Sequence, residues 1–271
     1  MREERKWKNN ICIGVMIVLG FIFMNPSGCA AGFLGIGDST SWQEEVLLHD
    51  GSKIVVDRWQ KRGGPHTLGE RPGILEYSLS FRHPVTKEII KWKHGPTEDI
   101  RYANLDLFAL HIKDNIPYII TMTSNCKSFN KWGRPNPPYV IFKYEGNNWQ
   151  RIDMADLPPE IKTINIVLST LTHEKDFAEM GFITAEKVND LNSNLREEIY
   201  KTIVRTPFNE EGRISGCPEM IYDGHGGWTG INAFKREASY EDCLKACNNH
   251  RINPEYCPCT RLFNNNKGEG K

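Results

Sequence analysis

Between Trp42 and Ile152 the apolar positions come in short β-prone runs separated by turn residues. Val46-Leu47-Leu48 and Ile54-Val55-Val56 flank His49-Asp50-Gly51-Ser52, and an Asp-Gly between two such runs predicts a hairpin. Tyr77, Leu79 and Phe81 alternate on one strand face, and His83-Pro84 then turns the chain towards Ile89-Ile90-Lys91-Trp92. Leu105 to Ile112 leads through Lys113-Asp114-Asn115 into Pro117 to Met122, and Tyr139 to Tyr144 turns at Glu145-Gly146-Asn147-Asn148 into Trp149 to Ile152. The stretch from Glu98 to His111 fits neither the helical nor the strand period cleanly and is read as strand. Four hairpins predict about eight antiparallel strands in a sandwich or barrel-like domain.

Past Ile152 the pattern changes. Leu157-Pro158-Pro159 breaks regular structure, and Ile161 to Leu168 reads as one more strand. Thr184 is placed to cap a helix whose stripe is Val188, Leu191, Leu195 and Ile199, with Pro207 as its stop. From Gly216 the chain is rich in Cys, Gly and Asn, with a short helix expected around Tyr240 to Cys247 and a frayed end from Asn264. The expected fold class is α+β, mainly antiparallel β, with a C-terminal helical, cysteine-rich segment. The expected divisions are 1–28 signal peptide or membrane anchor, 29–41 tether, 42–170 β domain, and 171–271 helical and disulfide-stabilised region.

The N-terminus carries Arg2, Arg5, Lys6 and Lys8, then the uncharged run Ile11 to Met24, then the small residues around Gly28-Cys29-Ala30-Ala31. A basic start, a short apolar run and a small-residue cleavage zone form an export signal. As a helix the run spans roughly 21 Å, short of the ~30 Å of a bilayer core. Three outcomes are open. Ser27-Gly28-Cys29 resembles a lipobox, with Cys29 lipidated; Pro26 departs from that pattern. Cleavage after Ala31 is the second outcome, and an uncut anchor from Ile11 to Ile36 the third. Attachment to a membrane through an N-terminal lipid or an uncleaved anchor is therefore expected, on the periplasmic or outer side of a cell envelope.

Charge narrows the partners. Lys plus Arg and Asp plus Glu both number 34, and loss of the first 28 residues leaves 30 against 32. So balanced a chain has no field to attract nucleic acid, and no nucleic-acid partner is expected.

Eight cysteines matter more. With Cys12 in the signal and Cys29 at the lipid position, six remain: Cys126, Cys217, Cys243, Cys247, Cys257 and Cys259. An even set in an exported chain predicts disulfides, in one of fifteen pairings. Four soft ligands within Cys243 to Cys259 would also suit zinc, but C-x3-C-x9-C-x-C is no common zinc spacing, and disulfides are preferred. No metal and no cofactor is expected.

Two loops stand out. Lys131-Trp132-Gly133-Arg134-Pro135-Asn136-Pro137-Pro138-Tyr139 sets Trp132, Arg134 and Tyr139 among prolines, the composition of a binding hot spot. Its alternative is a rigid loop packing Trp132 inward. Tyr222 to Gly230 places His225 and Trp228 among four glycines, either as a mobile ligand loop or as a turn docking Trp228 on the body. A weaker candidate is the Gly63 to Pro72 loop with His66. No G-x-S-x-G, H-E-x-x-H or P-loop occurs, so catalysis would rest on unspecific candidates such as Cys126, His66 or His225.

The runs Trp42-Gln-Glu-Glu-Val-Leu-Leu-His-Asp-Gly51 and Asn130-Lys-Trp-Gly-Arg-Pro-Asn-Pro-Pro-Tyr-Val140, followed by Phe142 to Gly146 and Trp149, resemble a group of uncharacterised bacterial envelope lipoproteins. The resemblance spans about residues 29 to 170 and implies export and lipidation, with no activity attached. The resulting expectation is a non-catalytic envelope module that binds an envelope protein or cell-wall partner, or serves assembly. An envelope hydrolase is the alternative.

Overall fold

The computed structural model describes residues 38–64, 66–168, 174–208 and 216–264. The expected export signal and Cys29 lie outside them. No helix among the described residues is long and apolar enough to cross a membrane.

Strands β1 (Ser39–Leu47), β2 (Lys53–Arg62), β3 (Ile74–Arg82) and β4 (Ile89–His94) form an antiparallel sheet, to which β9 (Phe182–Ile183) adds a short parallel edge beside β1. The first expected hairpin is β1–β2, closed where Gly51 takes a positive φ of 84°. The second is β3–β4. Burial alternates: in β1, Trp42, Glu44 and Val46 point inward while Gln43 and Leu47 face out. Ser39, Thr40 and Ser41, expected in the tether, already pair with Lys61, Gln60 and Trp59, so the strand starts earlier than the expected boundary.

The other two hairpins, β5 (Leu105–Lys113) with β6 (Ile116–Thr123) and β7 (Tyr139–Glu145) with β8 (Asn148–Ile152), make a second sheet in sequence order. Its strands β5 and β6 are buried on both faces, which is why they read as near-continuous apolar runs. One face packs Leu110, Ile112 and Ile119 against Val46, Leu79, Phe81 and Trp92 of the first sheet. The other packs Phe108, Ile120 and Tyr139 against Ile161, Ile164, Leu168 and Ile203. A register shift between Leu107 and Ala109 puts Leu107 and Leu110 on the same face. That bulge is the physical reason this stretch obeys no clean period.

The expected strand from Ile161 to Leu168 does not form; its one ladder contact is the isolated bridge Thr163–Thr202. Instead the segment is irregular, bends at Ile166 and distributes its side chains among three cores, and the Asn165 side chain supplies the missing pairing. Asn165 Oδ1 accepts from Leu110 N at 3.0 Å, and its Nδ2 donates to the carbonyls of Leu110 and Leu47.

The helices α2 (Glu174–Met180) and α3 (Ala185–Ser193) seat Phe177 and Val188 over Trp42, together with Ile183 of β9. Thr184 caps α3 as expected, accepting from Lys187 N, but the helix stops at Ser193 and Ile199 sits in a separate 3-10 turn. Beside Trp42, Glu44 and Arg58 form an ion pair at 2.5 Å with side chains 0% and 2% exposed. Trp42 Nε1 donates to the same carboxylate at 3.1 Å.

The C-terminal part comprises the β10 (Met220–Tyr222) and β11 (Trp228–Gly230) hairpin, α4 (Asn232–Lys235), α5 (Tyr240–Asn249) and α6 (Cys259–Asn264). Their small core contains Ile221, Ile231, Phe234 and Ile252 around Cys243, Cys247 and Cys259. All six expected cysteines are paired: Cys126–Cys217, Cys243–Cys259 and Cys247–Cys257.

Candidate functional site

The site is assembled from three chain segments, to which the 3-10 turn Pro254–Tyr256 adds Tyr256. The first is the β4–β5 connection, residues 95–104. Thr97 and Ile100 exchange backbone hydrogen bonds, and Ile100 is buried, so Glu98 and Asp99 are held at the tip of a tight turn. Tyr102 lies across the backbone of Gly64 and Gly73. A Cβ at Gly73 would stand 2.8 Å from its ring, so that position admits no side chain without displacing the tyrosine.

The second segment is α1 (Cys126–Lys131), capped by Asn125, whose Oδ1 accepts from Ser128 N at 3.0 Å. Buried Asn104 fixes this helix to the β5 entrance: its carbonyl accepts from Ser128 Oγ, and its Oδ1 accepts from Trp132 Nε1 at 2.8 Å. From the last turn Lys131 reaches Asp99 Oδ1 at 2.5 Å and Thr97 Oγ1 at 3.2 Å. Burial pushes the Asp99 carboxyl up, but the bonds from Lys131 and Thr97 outweigh it and hold it below the usual carboxylate range.

The third segment, β10 to β11, is fastened to α1. Cys126 is bonded to Cys217, Asn130 Oδ1 accepts from Met220 N at 2.9 Å, and Arg134 donates to the carbonyls of Cys217 and Pro218 at 3.1 Å each. In the turn that follows, Asp223 Oδ1 accepts from His225 N at 2.6 Å and Gly227 N at 2.8 Å. Gly226 has φ 95° and passes so close to the Glu98 carbonyl that a Cβ would lie 3.2 Å from it. Gly224, Gly226 and Gly227 therefore serve close packing, and the loop is a shaped turn with His225 exposed at its tip.

Two clefts open where these segments meet. One, about 740 Å³, lies between Glu98–Tyr102, the start of α1 at Asn125–Lys127, and Met220, His225 and Gly226. The other, about 470 Å³, is lined by Thr97, Lys131, Tyr222, Trp228 and Tyr256. Glu98 and Asp99 border both. The second cleft has an aromatic wall: Tyr222 stands 5.4 Å from Trp228 and 5.3 Å from Tyr256, ring centre to ring centre. Trp228 Nε1 is buried and finds no acceptor among the described residues.

Of the expected binding residues, the structure thus brings His225 and Trp228 to the clefts. The other three make internal contacts. Trp132 bonds Asn104 and packs edge-on against Phe142 at 5.9 Å; Arg134 covers the Phe129 ring and clamps Cys217 and Pro218. Tyr139 is 4% exposed, its hydroxyl donates towards the carbonyls of Ile199 and Thr202, and burial pushes its pKa up to about 12. The rigid-loop alternative describes this segment. His66 is exposed, its Nδ1 lies 2.9 Å from the Gly64 carbonyl, and it lines neither cleft. Cys126 is locked in its bridge and offers no thiol.

Nothing local marks Asp99, Lys131 or Tyr256 as site residues. Asp99 and Lys131 are 32 positions apart, and only the fold makes them a pair. No family of known proteins matches the chain, and neither a curated protein nor a solved structure is similar to it.

Proposed function

We propose that this chain is an exported, envelope-anchored, non-catalytic binding module, and that the two joined clefts receive a cell-wall glycan. The observation that carries this reading is the aromatic wall of Tyr222, Trp228 and Tyr256 facing the Glu98–Asp99 turn. Sugars present apolar C–H faces that stack on aromatic rings and hydroxyls that bond carboxylates. A concave site combining apolar rings with a few fixed polar groups is the general form of a ligand pocket. The Cys126–Cys217 bridge supports the reading, because it holds the opposite walls in place before a ligand arrives and so lowers the ordering cost of binding.

Anchoring rests on the export signal and on Cys29, and a lipid there would leave the folded body tethered near the wall. The experiment is co-sedimentation of the purified protein with insoluble cell-wall sacculi. Tyr256→Ala changes a ring that is 41% exposed and leaves the cores untouched. It should raise the dissociation constant about tenfold, the loss of one stacked ring and roughly 1.4 kcal/mol, with an unaltered melting temperature. If wild-type protein stays in the supernatant, or the variant sediments equally, the glycan reading fails.

A further inference from the structure

The C-terminal bridges stand in van der Waals contact with each other. Cys243 and Cys247 sit one turn apart on α5, and the Cys257-Pro258-Cys259 turn returns two further sulfurs to the same point. Sulfurs of different bridges approach to 3.6 Å between Cys247 and Cys259, and to 3.4 Å between Cys257 and Cys259. The sulfurs of Cys243, Cys247 and Cys259 all lie within 4.8 Å of one another. Three of the four cysteines are buried, among Ile221, Phe234, Ala246 and Ile252.

Zinc held by four thiolates at about 2.3 Å sets its ligand sulfurs about 3.8 Å apart. Two of the contacts between the bridges, Cys247–Cys259 and Cys257–Cys259, are already near that edge. The bonded pairs would have to separate by about 2 Å, across Cα separations of 5.7 and 5.9 Å. From this convergence we propose that the reduced tail is a four-thiolate zinc site, so the same small core has two alternative covalent states. Two equivalents of a dithiol reductant each deliver two electrons to one protein disulfide and become cyclic disulfides. The four thiols lose four protons and bind one Zn²⁺ as a dianionic tetrathiolate. In the reverse direction a disulfide oxidant takes the electrons, both bridges re-form and the zinc leaves. The uncommon sequence spacing conceals the site because the nine residues between Cys247 and Cys257 include a 3-10 turn that folds them back.

The test is a cobalt titration of the whole chain, first reduced with a dithiol and then freed of it under anaerobic conditions. The visible bands of tetrahedral thiolate cobalt should saturate at one equivalent and vanish on adding one equivalent of zinc. Cys257→Ser should weaken binding by about tenfold or more. Cys126→Ser with Cys217→Ser should leave stoichiometry and spectrum unchanged. Should Cys257→Ser fail to fold, alkylation of reduced wild type decides: zinc should protect Cys243, Cys247, Cys257 and Cys259 while Cys126 and Cys217 label. Absence of tetrahedral bands, bands that depend on Cys126, equal labelling of all six, or the same uptake by unreduced protein would each overturn the proposal.

Discussion

Cys126 and Cys217 close a loop of 91 residues, by far the longest of the three. In the chain-entropy account of a crosslink, closing that loop removes about 15 cal/mol/K from the unfolded chain, or about 4.6 kcal/mol at 25 °C. The same relation gives about 3.1 kcal/mol for Cys243–Cys259 with its separation of 16, and about 2.7 kcal/mol for Cys247–Cys257 with its separation of 10. Cys126→Ser with Cys217→Ser should therefore destabilise the whole body by about 4–5 kcal/mol, a large part of a typical domain's stability. Replacing the tail bridges should loosen mainly the tail core. Equilibrium urea unfolding followed by tryptophan fluorescence reads the difference, and a parallel binding assay should show weaker capture because the walls lose a covalent restraint. The folded state keeps the Arg134 and Asn130 bonds to this segment, so the loss comes from the unfolded chain. A loss under about 1 kcal/mol, or a larger loss from either tail bridge, would refute the reasoning.

Three further outcomes follow from burial and space. Arg58→Met should cost about 3–5 kcal/mol because it takes the cationic partner from the buried Glu44 carboxyl, whereas Glu44→Leu with Arg58→Met should recover most of it in denaturant unfolding. Gly227→Ala, whose Cβ would meet Asp223 Oδ2 at 2.1 Å, should break the turn and weaken ligand capture at least tenfold while the β5–β8 sheet stays protected in hydrogen exchange. Asp106 carries a carboxyl that burial raises to about 7, so the folded protein binds its proton more tightly than the unfolded chain, and stability falls as pH rises from about 4 through 7. Asp106→Asn should thus unfold at higher urea than wild type at pH 8, by up to about 4 kcal/mol, and converge with it near pH 4. Burial lowers His94 and His111 to about 4, which acts in the opposite sense: their contribution is lost as pH falls from 6.5 to 4, and should dominate the profile of the Asp106→Asn variant.

The four long hairpins were legible because each announces its own turn. Asp114, Asn115 and Asn147 take positive φ where the sequence places short polar residues, as Gly51 and Gly146 do. The two-residue β9 was not legible, since its ladder belongs to β1 and nothing local demands it. Ile161 to Leu168 has the composition of a strand, yet a single Asn165 side chain satisfies backbone groups from two neighbouring strands in place of a ladder. At the site, Trp228 and His225 were legible as chemistry within a glycine-rich turn. Trp132, Arg134 and Tyr139 carried the same residue types, but their partners Asn104, Cys217 and Ile199 are 28, 83 and 60 positions distant, and composition does not reveal whether an aromatic faces in or out. The disulfide pairing was one of fifteen possibilities until the fold placed the sulfurs.

The most direct measurement is backbone amide NMR of the isotopically labelled body during titration with soluble cell-wall glycan fragments. Shift changes should map to residues 97–102, 125–131 and 222–228 and to Tyr256, with the Trp228 indole N–H among the largest. Shifts gathered on the outer face of the first sheet around Trp59, or no shifts at millimolar fragment, would contradict it.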